Sequence, residues 1–234
     1  MIKTNDIKLI AFDADDTLWD CQSHFEQVQR SYEHILSPYA TAEEVDKALF
    51  ETETANMPLL GYGCKAFTLS LVENAVRVSK EQIAASDLLR ITQLGKLLLQ
   101  IPATPLPGVD ACLRTIRQAD RYSMVVFTKG ELLDQEHKLM RSGLRNRFDD
   151  VVIVSDKSPE AYQQLCRRFG VGMDQLLMVG NSFKSDIEPV LLLGGYAVHI
   201  PFHVQWQHEV TAEYAHPHLA RIQHFGELAE VLGI

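Results

Sequence analysis

The sequence predicts an α/β fold in which a doubly wound parallel sheet carries a helical insertion after its first strand. Two observations in the 234 residues lead to this prediction. From about residue 109 onward, short apolar strands alternate with helices, which is typical of a parallel sheet covered on both faces. Between about residues 23 and 101 the apolar spacing is helical, with few strand signals. We therefore expect an α/β core of residues 1–20 and 102–234 and a helical domain of residues 21–101.

The core elements are predicted from apolar runs and their boundaries. The first strand is the stretch at residues 7–12, which stops abruptly at Asp13. Four more strands are expected at 122–127, 151–154, 176–179 and 196–200, and five helices at 109–117, 131–142, 159–169, 183–193 and 226–234. Because crossovers between parallel strands are right-handed, this alternation predicts a doubly wound sheet.

The insertion is predicted to contain four helices and a break near its middle. Helical spacing occupies residues 23–37, 42–56, 64–78 and 80–100. Ser23 and Thr41 are plausible N-caps, and Thr41 begins a capping-box sequence. Pro58 and the glycines at 61–63 are expected to interrupt the helices, and the proline-rich stretch at 102–108 is expected to link back to the core.

Composition excludes several classes of protein. With 46% hydrophobic and 23% charged residues the chain is ordinary for a globular domain, and 22 basic against 31 acidic residues make it too acidic for nucleic-acid binding. It has no apolar run long enough to span a membrane. The cysteines are widely spread and no secretory leader precedes them, so we expect a reduced, cytoplasmic protein: Cys21, Cys64, Cys112 and Cys166.

Polar side chains follow the predicted core strands where each of them ends. Ligands bind at the carboxyl ends of strands in such sheets, so we expect these side chains to gather there: Asp13, Asp15 and Thr17; Thr128, Lys129 and Gly130; Lys157; Gly180, Asn181, Ser182 and Asp186. Two carboxylates two positions apart can divide the work of nucleophile and general acid or base. A divalent cation such as Mg²⁺ would let an anionic phosphoryl group approach them, and a lysine, a hydroxyl and backbone N–H groups can hold its oxygens.

These motifs, in this order, resemble the haloacid dehalogenase (HAD) superfamily, which is dominated by aspartyl-phosphate phosphohydrolases. Its first motif, Asp-x-Asp-x-Thr, matches residues 13–17, and its fourth, usually Gly-Asp-x-x-x-x-Asp, matches residues 180–186. Thr128 and Lys157 match the second and third motifs. The helical insertion resembles the C1-type cap of the superfamily, so the resemblance implies a HAD-like core with a cap domain at residues 21–101.

The resemblance also implies a role for each matched residue. Asp13 would be the nucleophile and Asp15 the general acid and then the base, with Thr128 and Lys157 as further catalytic residues. The phosphoryl group would be held by Thr128, Lys157 and Lys129, the last through its backbone N–H. A magnesium ion would be held by Asp13, Asp15 through its backbone carbonyl, Asn181 and Asp186. The expected reaction is magnesium-dependent hydrolysis of a small phosphorylated metabolite through an aspartyl-phosphate intermediate.

One departure from the family pattern keeps two alternatives open. Asn181 stands where the fourth motif usually has aspartate, so the metal site has one fewer negative charge. The first alternative is a metal-free 2-haloacid dehalogenase acting through Asp13, although such enzymes lack an aspartate at the position of Asp15. The second is a non-catalytic binding protein on the same scaffold. Transfer of the phosphoryl group to an acceptor other than water is also open.

Three other features are interpreted as structural. Asp16 is expected to be a turn or capping residue, and Trp19 to pack in the interior. Six histidines lie between His199 and His224, but their spacing fits no standard zinc pattern, so we expect packing or surface roles.

Overall fold

The computed structural model describes residues 4–234, so the first three residues of the expected core lie outside it. The chain divides into two compact units. The first comprises the chain through Gln22 together with Ala103–Lys129 and Gln135–Ile234, and the second comprises Ser23–Pro102 together with Gly130–Asp134.

The first unit contains a six-stranded sheet in which all described pairings are parallel. The strands are β1 (Leu9–Phe12), β2 (Ser123–Lys129), β3 (Asp150–Val154), β4 (Leu176–Gly180), β5 (Tyr196–His199) and β6 (Leu219–Arg221). Their order across the sheet is β3-β2-β1-β4-β5-β6. The chain winds outward from β1 in one direction and from β4 in the other, so the switch point of this α/β fold lies between β1 and β4.

Helices cover both faces of the sheet, as the period-two side-chain pattern of a strand requires. Ile10 and Phe12 of β1 face one core cluster, while Leu9 and Ala11 face another. The first cluster draws on α5 (Val109–Gln118), α6 (Leu132–Ser142) and α9 (Leu228–Leu232), and the second on α7 (Pro159–Phe169) and α8 (Glu188–Leu192). The central strands β1 and β4 are buried at every position, which explains their continuous apolar runs.

The second unit is helical throughout its described secondary structure. Its helices are α1 (Gln22–Leu36), whose first residue belongs to the other unit, α2 (Ala42–Leu60), α3 (Cys64–Val78) and α4 (Ala85–Leu98). Thr41 caps α2 with the expected capping box, in which Glu44 is the partner. The buried Tyr32 hydroxyl donates to the Leu71 carbonyl at 3.0 Å and accepts from Asn74 at 2.8 Å, which ties α1 to α3.

The structure differs from the sequence prediction at several places. Ser23 lies inside α1 and so is not its N-cap, and the helix expected from residue 80 begins at Ala85. Pro58 does not interrupt α2, which continues to Leu60 and ends at Gly61 with a φ of 71°. The predicted helix at 183–193 begins as a π-helical turn at Phe183–Ile187 before α8. The three-residue strand β6 was not predicted, because so short a segment carries no periodicity to read. In the described part of the chain, no helix is both long and apolar enough to cross a membrane.

Candidate active site

The nucleophile candidate Asp13 follows β1 directly, at the switch point of the sheet. Its backbone N–H donates to the carbonyl of Val179 in β4 at 2.9 Å, which continues the ladder by one residue beyond the strand. Its side chain is buried, with 7% of its surface exposed. An ionised carboxylate at such a position needs nearby donors, because burial penalises its charge.

Lys157 is the main hydrogen-bond donor to Asp13, and it links the third and fourth sequence motifs to the first. Its ammonium group makes an ion pair with Asp13 Oδ1 and lies 2.7 Å from Asp186 Oδ1. All three side chains are buried. Lys157 lies between β3 and α7, immediately before the N-cap Ser158, so the start of α7 fixes its backbone. The Lys157 ammonium therefore joins the carboxylates of Asp13 and Asp186, which are 173 positions apart in the sequence.

The cluster carries more negative charge than this lysine balances. Burial raises the pKa of Asp13 to about 7, and the charges of Asp186 and Asp15 add to the shift, although Lys157 opposes it. Burial alone would lower the pKa of Lys157, but the two carboxylates hold that pKa above its usual range. The lysine thus stays charged, and a proton or another cation at Asp13 relieves the remaining repulsion.

The oxygen atoms near Asp13 fit a hard cation such as Mg²⁺. The Thr17 hydroxyl lies 3.1 Å from Asp13 Oδ2 and 3.2 Å from Asn181 Oδ1, and its single proton can serve only one of them. Within residues 4–234, no group of three or more His, Cys, Asp or Glu side chains is arranged to hold a metal. A magnesium ion here would need the Asn181 amide and the Asp15 backbone carbonyl as ligands besides Asp13 and Asp186, and this ligand set stays a prediction. Oxygen-only donors supplemented by water are what Mg²⁺ prefers.

Asp15 lies apart from this cluster, in a ring of donors of its own. Trp19 Nε1 donates to its Oδ1 at 2.7 Å and Gln135 Nε2 to its Oδ2 at 2.8 Å. The Lys138 ammonium donates to both oxygens, at 2.8 and 2.6 Å. Burial raises the pKa of Asp15, but the charge and hydrogen bonds of Lys138, with those of Gln135 and Trp19, outweigh burial and lower it. Asp15 is accordingly ionised at neutral pH.

Lys138→Met should destabilise the protein in a pH-dependent way. Its side chain is buried and that of Asp15 is 27% exposed, so we expect a loss of about 3 kcal/mol at pH 7, the low end for breaking a buried pair. The folded-state pKa of Asp15 is depressed, so the stabilisation is present above its ordinary pKa and is lost as pH falls through the lowered value. Urea unfolding at pH 7 and at about pH 3 should show the difference between the two proteins shrinking in acid. A difference that is equal at both pH values would contradict this account.

Thr128 and Lys129 are the last two residues of β2, next to β1 in the sheet. The Thr128 hydroxyl is buried and makes one long hydrogen bond, 3.4 Å to the Lys129 carbonyl. The Lys129 ammonium is directed elsewhere, since it forms an ion pair with Glu209 and donates to Ser185 Oγ at 2.9 Å. The binding of a ligand by the Lys129 backbone N–H stays a prediction.

The fourth motif forms a tight turn at the carboxyl end of β4. Ser182 caps the π-helical turn by accepting from the Ser185 N–H at 3.0 Å, and its own N–H donates to Asp186 Oδ2 at 3.0 Å. A Cβ atom at Gly180 would collide with the Asp186 side chain. Glycine is therefore required there for the backbone of the strand to approach Asp186 this closely.

Sequence reasoning missed several residues that contact the predicted site, among them Gln135, Lys138 and Glu209. The first two lie three positions apart on α6, a spacing that places both on one helix face, but nothing in the sequence indicates that this face meets Asp15. The predicted structural roles of Asp16 and Trp19 agree with the geometry. Asp16 has a φ of 62° and accepts the N–H groups of Cys21 and Gln22 at 2.8 and 2.9 Å, and Trp19 is fully buried.

The fold and the site define an α/β enzyme of the doubly wound class, with its charged cluster at the switch point of the sheet. Residues 7–190 match the family of haloacid dehalogenase-like hydrolases, and the chain belongs to this family. The family resemblance expected from the four motifs is thus confirmed.

The chain is similar to one curated relative and to two solved structures. Glyceraldehyde 3-phosphate phosphatase of Methanothermobacter thermautotrophicus is 24% identical over 189 residues, which cover 77% of this chain and 80% of the relative. The crystal structure of a haloacid dehalogenase-like family hydrolase from Xanthomonas campestris is 31% identical, covers 99% of this chain and 94% of its own, and has a TM-score of 0.86. The HAD-hydrolase YfnB of Bacillus subtilis, solved bound to magnesium, has 17% identity, coverages of 97% and 99%, and a TM-score of 0.68.

Proteins of this fold do not all share one activity. Solved structures with similar folds include a 2-haloacid dehalogenase from Pseudomonas syringae and a HAD phosphatase from Thermococcus onnurineus, both at or below 20% identity. Fold similarity therefore does not separate the two chemistries, and the argument for function depends on the site residues.

Proposed function

We propose that the protein is a magnesium-dependent phosphohydrolase that acts on a small phosphorylated metabolite through an aspartyl phosphate on Asp13. The observation that carries the proposal is the buried cluster in which Lys157 joins Asp13 to Asp186, with a second carboxylate, Asp15, two residues further on. The similarity to curated glyceraldehyde 3-phosphate phosphatases at 24 and 26% identity supports phosphatase chemistry and a small substrate.

In the proposed reaction, Asp13 attacks phosphorus and the bond from phosphorus to the leaving oxygen breaks. Because its donors keep Asp15 ionised in the free protein, it must first take up a proton from solvent or from the phosphate monoanion, and it then gives that proton to the leaving oxygen. Asp15, now ionised, then accepts a proton from the water that attacks the aspartyl phosphate, so Asp13 is regenerated. Lys157 keeps Asp13 oriented in both steps. The Thr128 hydroxyl and the Lys129 backbone N–H would hold phosphoryl oxygens, and the long hydrogen bond of Thr128 is easily exchanged for one to a ligand.

Asp13, Asn181, Asp186 and the Asp15 backbone carbonyl would hold the magnesium ion. When bound, the ion would neutralise phosphoryl charge and the excess negative charge of the cluster. The donor ring around Asp15 suits the second step best, because it holds the carboxylate in its basic form.

We also propose that the helical unit is a cap that restricts the site to small substrates. The sequence boundaries expected for it, residues 21–101, remain a prediction. A cap inserted between β1 and β2 would exclude bulk water during the transfer to Asp13, which strengthens the electrostatic interactions with the phosphoryl group.

A screen of about a hundred phosphorylated metabolites, with and without Mg²⁺, tests the proposal directly. We expect release of inorganic phosphate from one or a few small phosphate esters, and its loss when the ion is chelated. Chloride release from a 2-chloroacid without metal would support the dehalogenase alternative instead. Neither phosphate nor chloride release, in a folded protein, would favour the non-catalytic alternative.

Asn181→Asp should tighten magnesium binding by roughly tenfold or less, about 1.4 kcal/mol. A carboxylate binds a divalent ion more strongly than a neutral amide does, but repulsion from Asp13 and Asp186 limits the gain. Asp186→Ala should weaken binding by more than the aspartate variant gains. Calorimetric titration with Mg²⁺ in the wild type and both variants gives the order of affinity. Weaker binding by Asn181→Asp than by wild type would show that the amide is the better ligand for this site.

A further inference from the structure

Glu209 lies outside every motif of the sequence and beyond residue 190, where the family match ends. It is the last residue of a short 3₁₀ turn, Gln207–Glu209, in the segment that follows β5. Its side chain is nevertheless buried, with 11% exposed. A buried carboxylate far from any predicted motif calls for an account of its partners.

The partners of Glu209 come from the ends of two different strands. Its Oε1 forms an ion pair with the ammonium of Lys129, the last residue of β2, and accepts from Ser185 Oγ at 3.0 Å. Its Oε2 accepts a hydrogen bond from Ser182 Oγ and lies 2.7 Å from Ser185 Oγ, whose single proton serves one of the two Glu209 oxygens. Lys129 also donates to Ser185 Oγ, so the four side chains form one closed network.

This network continues to the proposed nucleophile through hydrogen bonds. Ser182 N–H donates to Asp186 Oδ2 at 3.0 Å, Asp186 Oδ1 accepts from Lys157, and Lys157 pairs with Asp13. On the other side, Lys129 is adjacent to Thr128 in β2. The carboxylate of Glu209 therefore lies between the residues proposed to hold the phosphoryl group and the turn that carries Asp186.

The charge of Glu209 is necessary to this arrangement. The Lys129 side chain is only 16% exposed. Ser182 and Ser185 in the same network are neutral, so within this network the charge that balances Lys129 is that of Glu209. Burial alone would raise the pKa of Glu209. The Lys129 charge and the hydrogen bonds from Lys129, Ser182 and Ser185 outweigh burial, so the net pKa is lowered and Glu209 is ionised at neutral pH. Gln205 Nε2 donates to the Glu209 carbonyl at 3.2 Å and Lys184 Nζ to the His208 carbonyl at 2.8 Å, which holds the backbone of the turn.

We infer that Glu209 is a positioning residue for the reaction, which fixes the ends of β2 and β4 relative to each other and so orders the phosphoryl pocket. The inference rests on the proposed phosphatase function. Glu209 acts through Lys129 and Ser182 and does not itself touch substrate. Loss of its charge would release the Lys129 side chain and loosen the Ser182–Asp186 turn, and a displacement of about 1 Å in such groups reduces rates roughly 10²-fold.

The test compares Glu209→Gln with a matched control, Glu227→Gln. Glu227 also accepts backbone N–H groups, from Gln223 and His224 in the C-terminal region, but it contacts none of the predicted site residues. We expect kcat/KM to fall roughly 10²-fold in Glu209→Gln and to stay within about twofold of wild type in the control. The affinity for vanadate, a mimic of the pentacoordinate phosphoryl group, should weaken in the same variant.

Two further variants separate positioning from a purely structural role. Glu209→Asp keeps the charge but shortens its reach, so kcat/KM should fall while the protein stays folded; this variant also decides the matter if Glu209→Gln does not fold. In a Lys129→Met background, Glu209→Gln should cause a smaller further loss than in the wild type, because the partner is already absent. Equal losses in both backgrounds, or wild-type kcat/KM and vanadate affinity in both folded Glu209 variants, would overturn the inference. A wild type that neither hydrolyses phosphate esters nor binds vanadate would overturn the proposed function, and this inference with it.

Discussion

Asp13→Asn is expected to reduce turnover by on the order of 10⁴-fold or more while leaving the protein folded. An amide cannot attack phosphorus as a carboxylate does, and no other carboxylate follows β1 at the same point. The fold should survive because Lys157 keeps its 2.7 Å contact with Asp186, so its ammonium is not left buried and unpaired. Steady-state release of inorganic phosphate measures the change, and circular dichroism checks the fold.

Asp16→Asn is the matched control for this variant. It changes a carboxylate three positions away into the same amide, and the amide oxygen can still accept the N–H groups of Cys21 and Gln22. Activity should stay within about twofold of wild type, since asparagine also tolerates the positive φ of this position. If the folded Asp13→Asn protein kept more than a few per cent of the wild-type rate of phosphate release, Asp13 would not be the nucleophile.

Asp15→Asn is expected to cut hydrolysis of alkyl phosphates by about 10²–10⁴-fold, the usual contribution of general acid–base catalysis. With p-nitrophenyl phosphate the first step should suffer less, because that leaving group needs little protonation. The second step still lacks its base. Rapid mixing should therefore show a burst of p-nitrophenolate close to one equivalent per enzyme, followed by slow turnover.

The burst distinguishes a proton-transfer role from a general disturbance of the site. If Asp15 served only to bind Lys138, Gln135 and Trp19, both steps should slow together and no burst should form. Equal losses on alkyl and p-nitrophenyl esters, with transfer to Asp13 limiting in both, would count against Asp15 as the proton donor. Mass spectrometry of the quenched burst should find a phosphoryl group on the protein.

The core of the fold was predictable because its central strands, β1 and β4, are buried on both faces. Such strands appear in the sequence as short apolar runs, and helices separate them at regular intervals. The sheet boundaries agree with prediction to within two residues for β1 through β5. Pro58 misled the prediction because a proline removes only its own N–H from the helical hydrogen bonds, which α2 tolerates for the two residues that follow it. The π-helical turn at Phe183–Ile187 follows from local contacts of Ser182 that no periodicity shows.

The site was predictable where a motif follows a strand and unpredictable where a partner comes from a distant helix or loop. Asp13, Lys157 and Asp186 meet because the carboxyl ends of parallel strands share one edge. Lys138 and Glu209 reach the site from α6 and from the segment after β5, across 123 and 80 positions from Asp15 and Lys129, respectively. In the sequence, each is an ordinary charged residue. Only tertiary structure shows that they are buried against an opposite charge.

Most of the helical unit, Ser23–Pro102, lies in one stretch of chain between β1 and α5. In the described residues, the side-chain hydrogen bonds to Asp13 and Asp15 come from segments before or after that stretch. Mutations can therefore accumulate in that stretch without altering a contact to either carboxylate. Under the proposed function, selection for a new metabolite can act on one part of the gene and selection for chemistry on the rest. Exchange of the whole stretch between relatives is accordingly a route to changing substrate preference while the reaction is retained.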